Sequence, residues 1–463
     1  NNLDLRELDE TSDQAILDSD DRASFAFTGL SVQVGYNIDD WTRLVFGASH
    51  RGLWGADQMG GVSGFGGWLY FNAAHLEVST HNANPTKFTF GRQFFEIGGI
   101  PGREFVLLDV VDGVRIDQPI GDLGTVVFLP IEVPSMSSAN DHADFVSFIG
   151  QAPQPLFGFR GDTLTRRHGL VLVLDGLLEN LDARAYSFYT DIGAVGTGSD
   201  ITYNGTLGNF SDNDWVLNAG LRASYDAGVV VPWASFDLSS GIDRKELVAG
   251  DVDTNGMSWY AGVDLPGEES GPRGQVSYFE AFGPAYGENG MQYSHGYVGM
   301  KASQVGGTLA NRFMGWHPTS YVGLYGINTS PHEINRKSGT RTINANFGWA
   351  LEGIGSVKAG YWFLQDTGIT YLNFNDLDTI DPPYGYSREE FAAERRAGKV
   401  LGHEIDLDVV GEVSDLLSCR VNGAVFLPGE FYEIEVGRIA GDALGSDDPQ
   451  MAWAANGSCW VRF

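Results

Sequence analysis

The feature that most limits the fold of this chain is an alternation of apolar and polar side chains with a period of two residues. In one segment Leu217, Leu221 and Tyr225 occupy odd positions, whereas Asn218 and Arg222 occupy even ones. The same alternation recurs at 343–349, 357–363 and 405–409. Because successive side chains of a β-strand point to opposite faces of a sheet, each segment is predicted to be a strand with one apolar face and one polar face.

The lengths of the connections distinguish a soluble sandwich from a membrane barrel, since both alternate in this way. Short turns are predicted near 37–40, 82–85, 118–122, 176–182, 226–228, 267–272, 304–307, 352–355 and 413–415. Long connections fall between them, for example at 52–64, 96–111, 134–163, 192–213, 240–256, 317–339, 366–403 and 428–450. Tight periplasmic turns alternating with long extracellular loops are typical of outer-membrane barrels.

These patterns predict an all-β fold, a transmembrane antiparallel up-and-down β-barrel with about 18–20 strands. The count includes a first strand near 3–10 and a last one at 451–463. The composition, with 62 Gly and 12% aromatic residues, suits many strands joined by turns, and no linker divides residues 1–463 into domains. A barrel this wide is not filled by its own side chains and encloses a channel or a plugged lumen.

The formal charge of −31 argues against a nucleic-acid partner, because phosphates would be repelled. The excess acid is expected mainly in solvated loops. No apolar run is long enough for a transmembrane helix.

The last strand ends at Phe463, and an aromatic C-terminal residue resembles the signal that the outer-membrane assembly machinery recognises. The predicted location is therefore the bacterial outer membrane. The expected surroundings are outer-membrane lipid and lipopolysaccharide.

The two cysteines, Cys419 and Cys459, belong to no CxxC motif, which argues against a zinc ribbon or attached haem. If the last hairpin turns near residue 439, the two face each other on neighbouring strands, on the apolar face that carries Val421 and Val461. A cross-strand disulfide is predicted, with two buried thiols as the alternative.

Two pairs of segments resemble the alginate-export family of outer-membrane barrels. The first pair is Phe-Gly-Arg-Gln at 90–93 followed by Asp-Gly-Val-Arg at 112–115. The second is Leu-Gly-His-Glu-Ile-Asp-Leu at 401–407 followed by Phe-Leu-Pro-Gly-Glu-Phe at 426–431. The resemblance implies a barrel of about eighteen strands and, for the best-known members, passive export of an anionic polysaccharide through an arginine-lined lumen.

The polar faces of the predicted strands supply candidates for the lining of the pore. The candidates are Arg92, Arg115, Asp117, Arg222, Lys358, Glu404, Asp406, Asp408 and Arg420. Because a polyanion conduit needs a net positive constriction, this mixture of signs does not favour alginate itself. The alternative for each arginine is a salt bridge to an acid on a neighbouring strand, which would only stiffen the wall.

Asp251, Asp253 and Asn255 match the first half of a calcium loop, with Gly256 at its turn. Gly262 stands where the bidentate glutamate belongs, so an acidic outer loop is the alternative. No other cofactor is expected. Catalysis is not predicted, because the histidines are scattered and no GxSxG or HExxH motif occurs.

The predicted function is an outer-membrane pore for passive diffusion or export of a hydrophilic solute or polysaccharide, which the resemblance suggests is anionic. The alternative is a barrel that sheathes a separate multihaem cytochrome and insulates it as electrons cross the outer membrane. A wide lumen would suit such a partner, whereas a loop-gated lumen would suit a solute.

Overall fold

A computed structural model describes the strands of the chain and the turns between them. The described residues are 26–54, 68–96, 108–134, 165–192, 214–243, 252–253, 255–267, 270–282, 285–286, 292–294, 296–297, 307, 340–366, 400–414, 416–429 and 451–461. The predicted first strand near 3–10, the acid Asp251 and the terminal Phe463 lie outside them.

The described residues form one sheet with 17 long strands and three short ones. The long strands are β1 (Ala26–Asn37), β2 (Thr42–Trp54), β3 (Trp68–Ser79), β4 (Lys87–Glu96), β5 (Leu108–Pro119), β6 (Thr125–Pro134), β7 (Thr165–Leu174), β8 (Leu181–Ile192), β9 (Asp214–Tyr225), β10 (Val231–Asp243), β12 (Gly256–Leu265), β13 (Gly271–Ala281), β16 (Thr340–Leu351), β17 (Gly355–Asp366), β18 (Val400–Ser414), β19 (Leu417–Pro428) and β20 (Ala452–Val461). The short ones are β11 (Val252–Asp253), β14 (Ala285–Tyr286) and β15 (Gln292–Ser294).

Each long strand pairs antiparallel with the next long strand along the chain, which is the up-and-down order of the predicted barrel. Eight of the predicted short turns join strand pairs at one end of the sheet. The turn between β5 and β6 contains a short 3₁₀ helix at Gly121–Leu123. No helix among the described residues is both long and apolar enough to cross a membrane.

Of the ninth predicted turn, at 304–307, the structure describes only Gly307. β13 pairs with β12 on one side and with β16 on the other, from Gly271 opposite Ala350 to Glu280 opposite Arg341. Both edges of β13 are therefore occupied, and a further hairpin cannot enter between β13 and β16. No strand of the predicted ninth hairpin therefore lies between β13 and β16. A local turn signal does not specify which strands its neighbours will pair with.

Aromatic side chains pack on the inward face of the strands from β4 to β13. Phe95 and Phe188 lie edge to face with their ring centroids 6.3 Å apart, although three strands separate β4 from β8. Small and aliphatic side chains such as Val127 and Val171 lie buried beneath the two rings. At Gly169 a Cβ atom would come within 2.3 Å of the Phe188 ring, so the glycine makes the space for it.

Candidate functional site

The two faces of the sheet differ in the solvent exposure of their side chains. On β9, Leu217 and Leu221 are 38% and 60% exposed, whereas Asn218 and Arg222, which alternate with them, are 1% and 3% exposed. The same division holds on β18, where Ile405 and Leu407 are exposed and Glu404 is buried. Because a large exposed apolar surface is unstable in water, the apolar face is the outer wall that meets lipid. The polar face is the inner wall.

Ion pairs line the inner wall near the short turns. Lys87 Nζ lies 2.7 Å from Glu77 Oε1, and Arg184 Nη2 lies 2.9 Å from Asp182 Oδ2. The others are Arg115 Nε with Asp117 Oδ1 at 2.8 Å and Arg420 Nε with Asp408 Oδ1 at 2.5 Å. Each of these cations is therefore held by a carboxylate on its own or a neighbouring strand.

A more deeply buried pair lies farther from the turns. Arg222 Nη2 is 3.9 Å from Asp237 Oδ1, and their side chains are only 2% and 1% exposed. The Arg222 guanidinium also lies over the ring of Tyr186, 5.6 Å from its centroid. Gly220 leaves room for this group, because a Cβ there would be 2.4 Å from both the Asp237 carboxylate and the Tyr186 hydroxyl.

Acidic side chains and a lysine meet on the inner wall of β17 and β18. Lys358 stands directly opposite Asp408 in the register, and Trp362 Nε1 donates to Asp406 Oδ2 at 3.0 Å. Glu404 is fully buried. A Cβ on Gly307 would be 2.4 Å from Glu404 Cδ and 2.7 Å from Asp406 Oδ2. Gly307, which lies between β15 and β16 in the sequence, is therefore inside the lumen against this acidic wall.

Arg92 does not line the lumen, and its inclusion among the pore-lining candidates is wrong. It lies on β4 between Phe90 and Phe94, which are 44% and 55% exposed on the outer wall. Its guanidinium makes two hydrogen bonds to the carboxylate of Asp112 on β5, at 2.8 and 2.6 Å, and a third to the Phe71 carbonyl at 3.1 Å. An apolar face can accept this arginine because a neighbouring strand supplies its counter-charge.

The other pore-lining candidates lie on the inner wall by strand register and parity: Arg115, Asp117, Arg222, Lys358, Glu404, Asp406, Asp408 and Arg420. Sequence reasoning missed Asp182, Arg184 and Asp237. Their alternation with Ala183, Phe236 and Leu238 carried the signal for the polar face. For Gly307 no local signal existed, since its contact with β18 joins distant parts of the chain.

The predicted disulfide is present. Cys419 on β19 and Cys459 on β20 are direct register partners and form the bond with a Cα–Cα distance of 4.1 Å. Both lie on the outer wall, on the face that carries Val421 and Val461.

Of the predicted calcium ligands, the described residues include Asp253 and Asn255. Asp253 lies in the short strand β11 opposite Ile242, and the Asn255 side-chain oxygen accepts a hydrogen bond from Ser240 at 2.9 Å. No group of three or more metal-ligating side chains occurs in the described part of the chain.

Comparisons with known proteins find similar folds but no family. No family model matches the chain, and no curated protein matches it either. Among solved structures, Pseudomonas aeruginosa OccK5 covers 95% of this chain and 93% of its own, with a TM-score of 0.44 and 11% identity. OprD of the same organism covers 95% and 92%, with a TM-score of 0.40 and 13% identity. The Escherichia coli capsule-assembly protein Wzi, described as a carbohydrate-binding β-barrel, covers 94% and 84%, with a TM-score of 0.42 and 12% identity.

Likenesses this weak assign neither a family nor a solute. The chain itself has an apolar outer wall, a polar inner wall and an antiparallel up-and-down strand order. Its architecture is that of a bacterial outer-membrane β-barrel.

Proposed function

We propose that this protein is a non-catalytic outer-membrane pore through which small hydrophilic solutes diffuse. The observation that carries the proposal is the contrast between the two walls. Exposed apolar side chains cover most of the outside, and ion-paired side chains line the inside near the short turns. Such a polar interior is typical of water-filled transmembrane barrels.

The charge of the inner wall favours small solutes over a long polyanion. Lys87, Arg115 and Arg184 each lie within 3 Å of a carboxylate oxygen. A polyanion conduit needs cations that offer net positive charge to the solute, because a constriction of like charge raises the barrier to entry. Of the arginines in the segments that resemble alginate exporters, Arg92 faces lipid and Arg115 is paired with Asp117. These segments therefore do not supply an arginine-lined lumen.

The contact between Gly307 and the acidic wall supports a constricted pore. Gly307 lies against Glu404 and Asp406 and narrows the lumen beside them. A sheath for a multihaem cytochrome would need that space for the partner, so the contact favours the solute pore over the sheath. We further propose that these carboxylates make the pore weakly cation-preferring.

Single-channel recording in planar bilayers tests the proposal. The wild type is expected to conduct steadily with a permeability ratio that does not favour anions. Neutralising both acids with Glu404→Gln and Asp406→Asn is expected to move the reversal potential toward anion preference. Ile405→Val, on the outer wall between the two acids, is the matched control and should conduct like the wild type.

Two results would count against this function. Strong anion preference in the wild type would contradict the proposed selectivity and return an anionic polysaccharide to consideration. A barrel that never conducts, purified together with haem absorbance, would favour the cytochrome sheath.

A further inference from the structure

A groove crosses the outer wall beside the short turns of β7, β8, β9 and β10. It has a volume of about 370 Å³, and Leu174, Ala183, Ala185, Leu221, Ala223, Ala234 and Phe236 contribute its outward-facing lining. The backbone register explains its shape. Leu174 is opposite Ala183, Ala183 is opposite Ala223, and Ala223 is opposite Ala234. A row of small side chains therefore runs across neighbouring strands and forms the floor.

Large side chains form both edges of the groove. Leu221 and Phe236, direct register partners, stand on the side toward the long loops and are 60% and 38% exposed. Tyr225 and Val263 stand on the side toward the short turns and are 45% and 44% exposed. The row of alanines continues to Ala261 on β12, so its four members span about 14 Å at the usual strand spacing of roughly 4.8 Å. One leaflet of a bilayer core is about 15 Å thick, which is a comparable length.

The turns at the mouth of the groove carry exposed aliphatic side chains. Leu177 and Leu178 in the β7–β8 turn are 50% and 63% exposed, and Val229 in the β9–β10 turn is 75% exposed. Aliphatic residues at the water-facing tip of a turn are unfavourable unless lipid covers them. These turns therefore extend the apolar surface of the groove toward the headgroup level of the periplasmic leaflet.

The charge of the same turns is entirely acidic. Asp175, Glu179 and Asp226 are exposed, and the segments 175–180 and 226–230 contain no lysine or arginine. A lipid with an anionic headgroup would be repelled here, whereas a headgroup that carries an ammonium would be attracted.

We propose that this groove binds a phospholipid of the periplasmic leaflet, with an acyl chain over the alanine floor and an ammonium headgroup beside the acidic turns. The occupant follows from the place of the groove, since the surrounding wall is already in contact with lipid. A second copy meeting the same groove about a twofold axis would place two hollows face to face and fill neither. Phosphatidylethanolamine has the required headgroup chemistry.

Native mass spectrometry of the detergent-purified barrel with added phosphatidylethanolamine tests the groove. Ala223→Phe fills the floor of the groove and is expected to weaken lipid binding about tenfold, because the ring occupies the space of the acyl chain. Ala345→Phe is the matched control, because Ala345 is also an exposed outer-wall alanine, on β16. If heat-modifiable gel migration shows that Ala223→Phe does not fold, the smaller change Ala234→Leu tests the same floor.

The headgroup is tested with phosphatidylglycerol and phosphatidylcholine under the same conditions. The wild type should prefer phosphatidylethanolamine to phosphatidylglycerol, and the pair Asp175→Asn and Glu179→Gln should abolish this preference. Equal loss of lipid in Ala223→Phe and Ala345→Phe would overturn the site. A change of oligomeric state in Ala223→Phe, with lipid binding unaltered, would also overturn it, because a second copy would then be the occupant. Equal binding of all three lipids would overturn the proposed headgroup contact.

Discussion

Gly91 lies where the backbones of β3 and β4 approach each other closely. Its φ is +112°, a conformation that L side chains rarely adopt, and a Cβ there would lie 2.4 Å from the Ala74 carbonyl oxygen. Gly91 also stands directly opposite Gly113 on β5. The positive φ and the close approach of the β3 backbone explain why glycine occupies this position.

Replacing Gly91 with alanine is therefore expected to destabilise the barrel by at least about 1–2 kcal/mol, the cost of the left-handed conformation alone. Urea unfolding in lipid vesicles, followed by tryptophan fluorescence, measures the change. Gly423→Ala is the control, since the nearest atom to its added Cβ would be 3.8 Å away. Equal stability of the two variants would contradict the assigned clash.

Arg92 and Asp112 form a charge pair on a wall that faces lipid. Asp112→Leu would leave the guanidinium without its carboxylate, and we expect a loss of roughly 2–4 kcal/mol, as for a cation on the lipid face of a barrel. The double change Arg92→Leu and Asp112→Leu should cost less than the sum of the single changes. Urea unfolding of the four proteins gives the coupling free energy.

The double variant also tests which wall carries this pair. Its ion selectivity in planar bilayers should match that of the wild type, because neither side chain lines the lumen. Arg115→Ala on the inner wall is the contrasting variant and should change selectivity. An altered reversal potential in the double variant would place the pair inside the pore.

Asp39 lies in the turn between β1 and β2, outside the membrane-spanning strands. The Trp41 backbone N–H donates to Asp39 Oδ1 at 2.8 Å, and this bond lowers the pKa of the carboxyl below its ordinary value of 3.8. A lowered pKa in the folded state means that the stabilisation is present above the ordinary pKa and is lost as the pH falls through the folded pKa.

The Trp41 amide chemical shift should therefore titrate with a midpoint below 3.8. Nuclear magnetic resonance in micelles measures this midpoint, and Asp39→Asn should show no titration. A midpoint at or above the ordinary value would contradict the hydrogen bond.

At the scale of elements, the disulfide joins the last two strands of the sheet. Cys419 and Cys459 are 40 residues apart in sequence and are direct partners of β19 and β20. Reduction should lower the free energy of unfolding by about 2–4 kcal/mol, because the unfolded chain gains the entropy of an open loop.

Urea unfolding with and without reductant measures this effect. The double variant Cys419→Ser and Cys459→Ser should be insensitive to reductant. If reductant shifts the midpoint of the wild type and of the double variant equally, the disulfide is not the cause.

At the scale of the whole molecule, the division between the two walls makes a direct prediction. Leu407→Arg places a cation on the outer wall of β18 and should cost roughly 2–4 kcal/mol near the middle of the bilayer. Leu407→Ala removes the same side chain without adding charge and is the control. Assembly into folded barrel, measured by heat-modifiable gel migration, should fall in the arginine variant only. Normal assembly of that variant would contradict the outward assignment of this face.

The wall assignments were largely predictable because strand alternation is a local property. Arg115, Arg222 and Arg420 lie inside as their parity indicates. The alternation also indicates that Arg92 faces outward, since Phe90 and Phe94 share its face. Its positive charge favoured the inner wall instead. Asp112 supplies the counter-charge on the outer wall, and this pairing could not be inferred without the register of β4 and β5.

The sequence by itself determined the strands, the short turns, the two faces and the pairing of the cysteines. Each of these depends on side-chain period, turn residues or the order of neighbouring strands, which are local along the chain. Only the tertiary structure decided that β13 bonds β16, that Gly307 touches Glu404 and Asp406, and that alanines of neighbouring strands align into a groove. These features depend on register and on contacts across the lumen, where residues distant in sequence meet and where no local pattern specifies the partner.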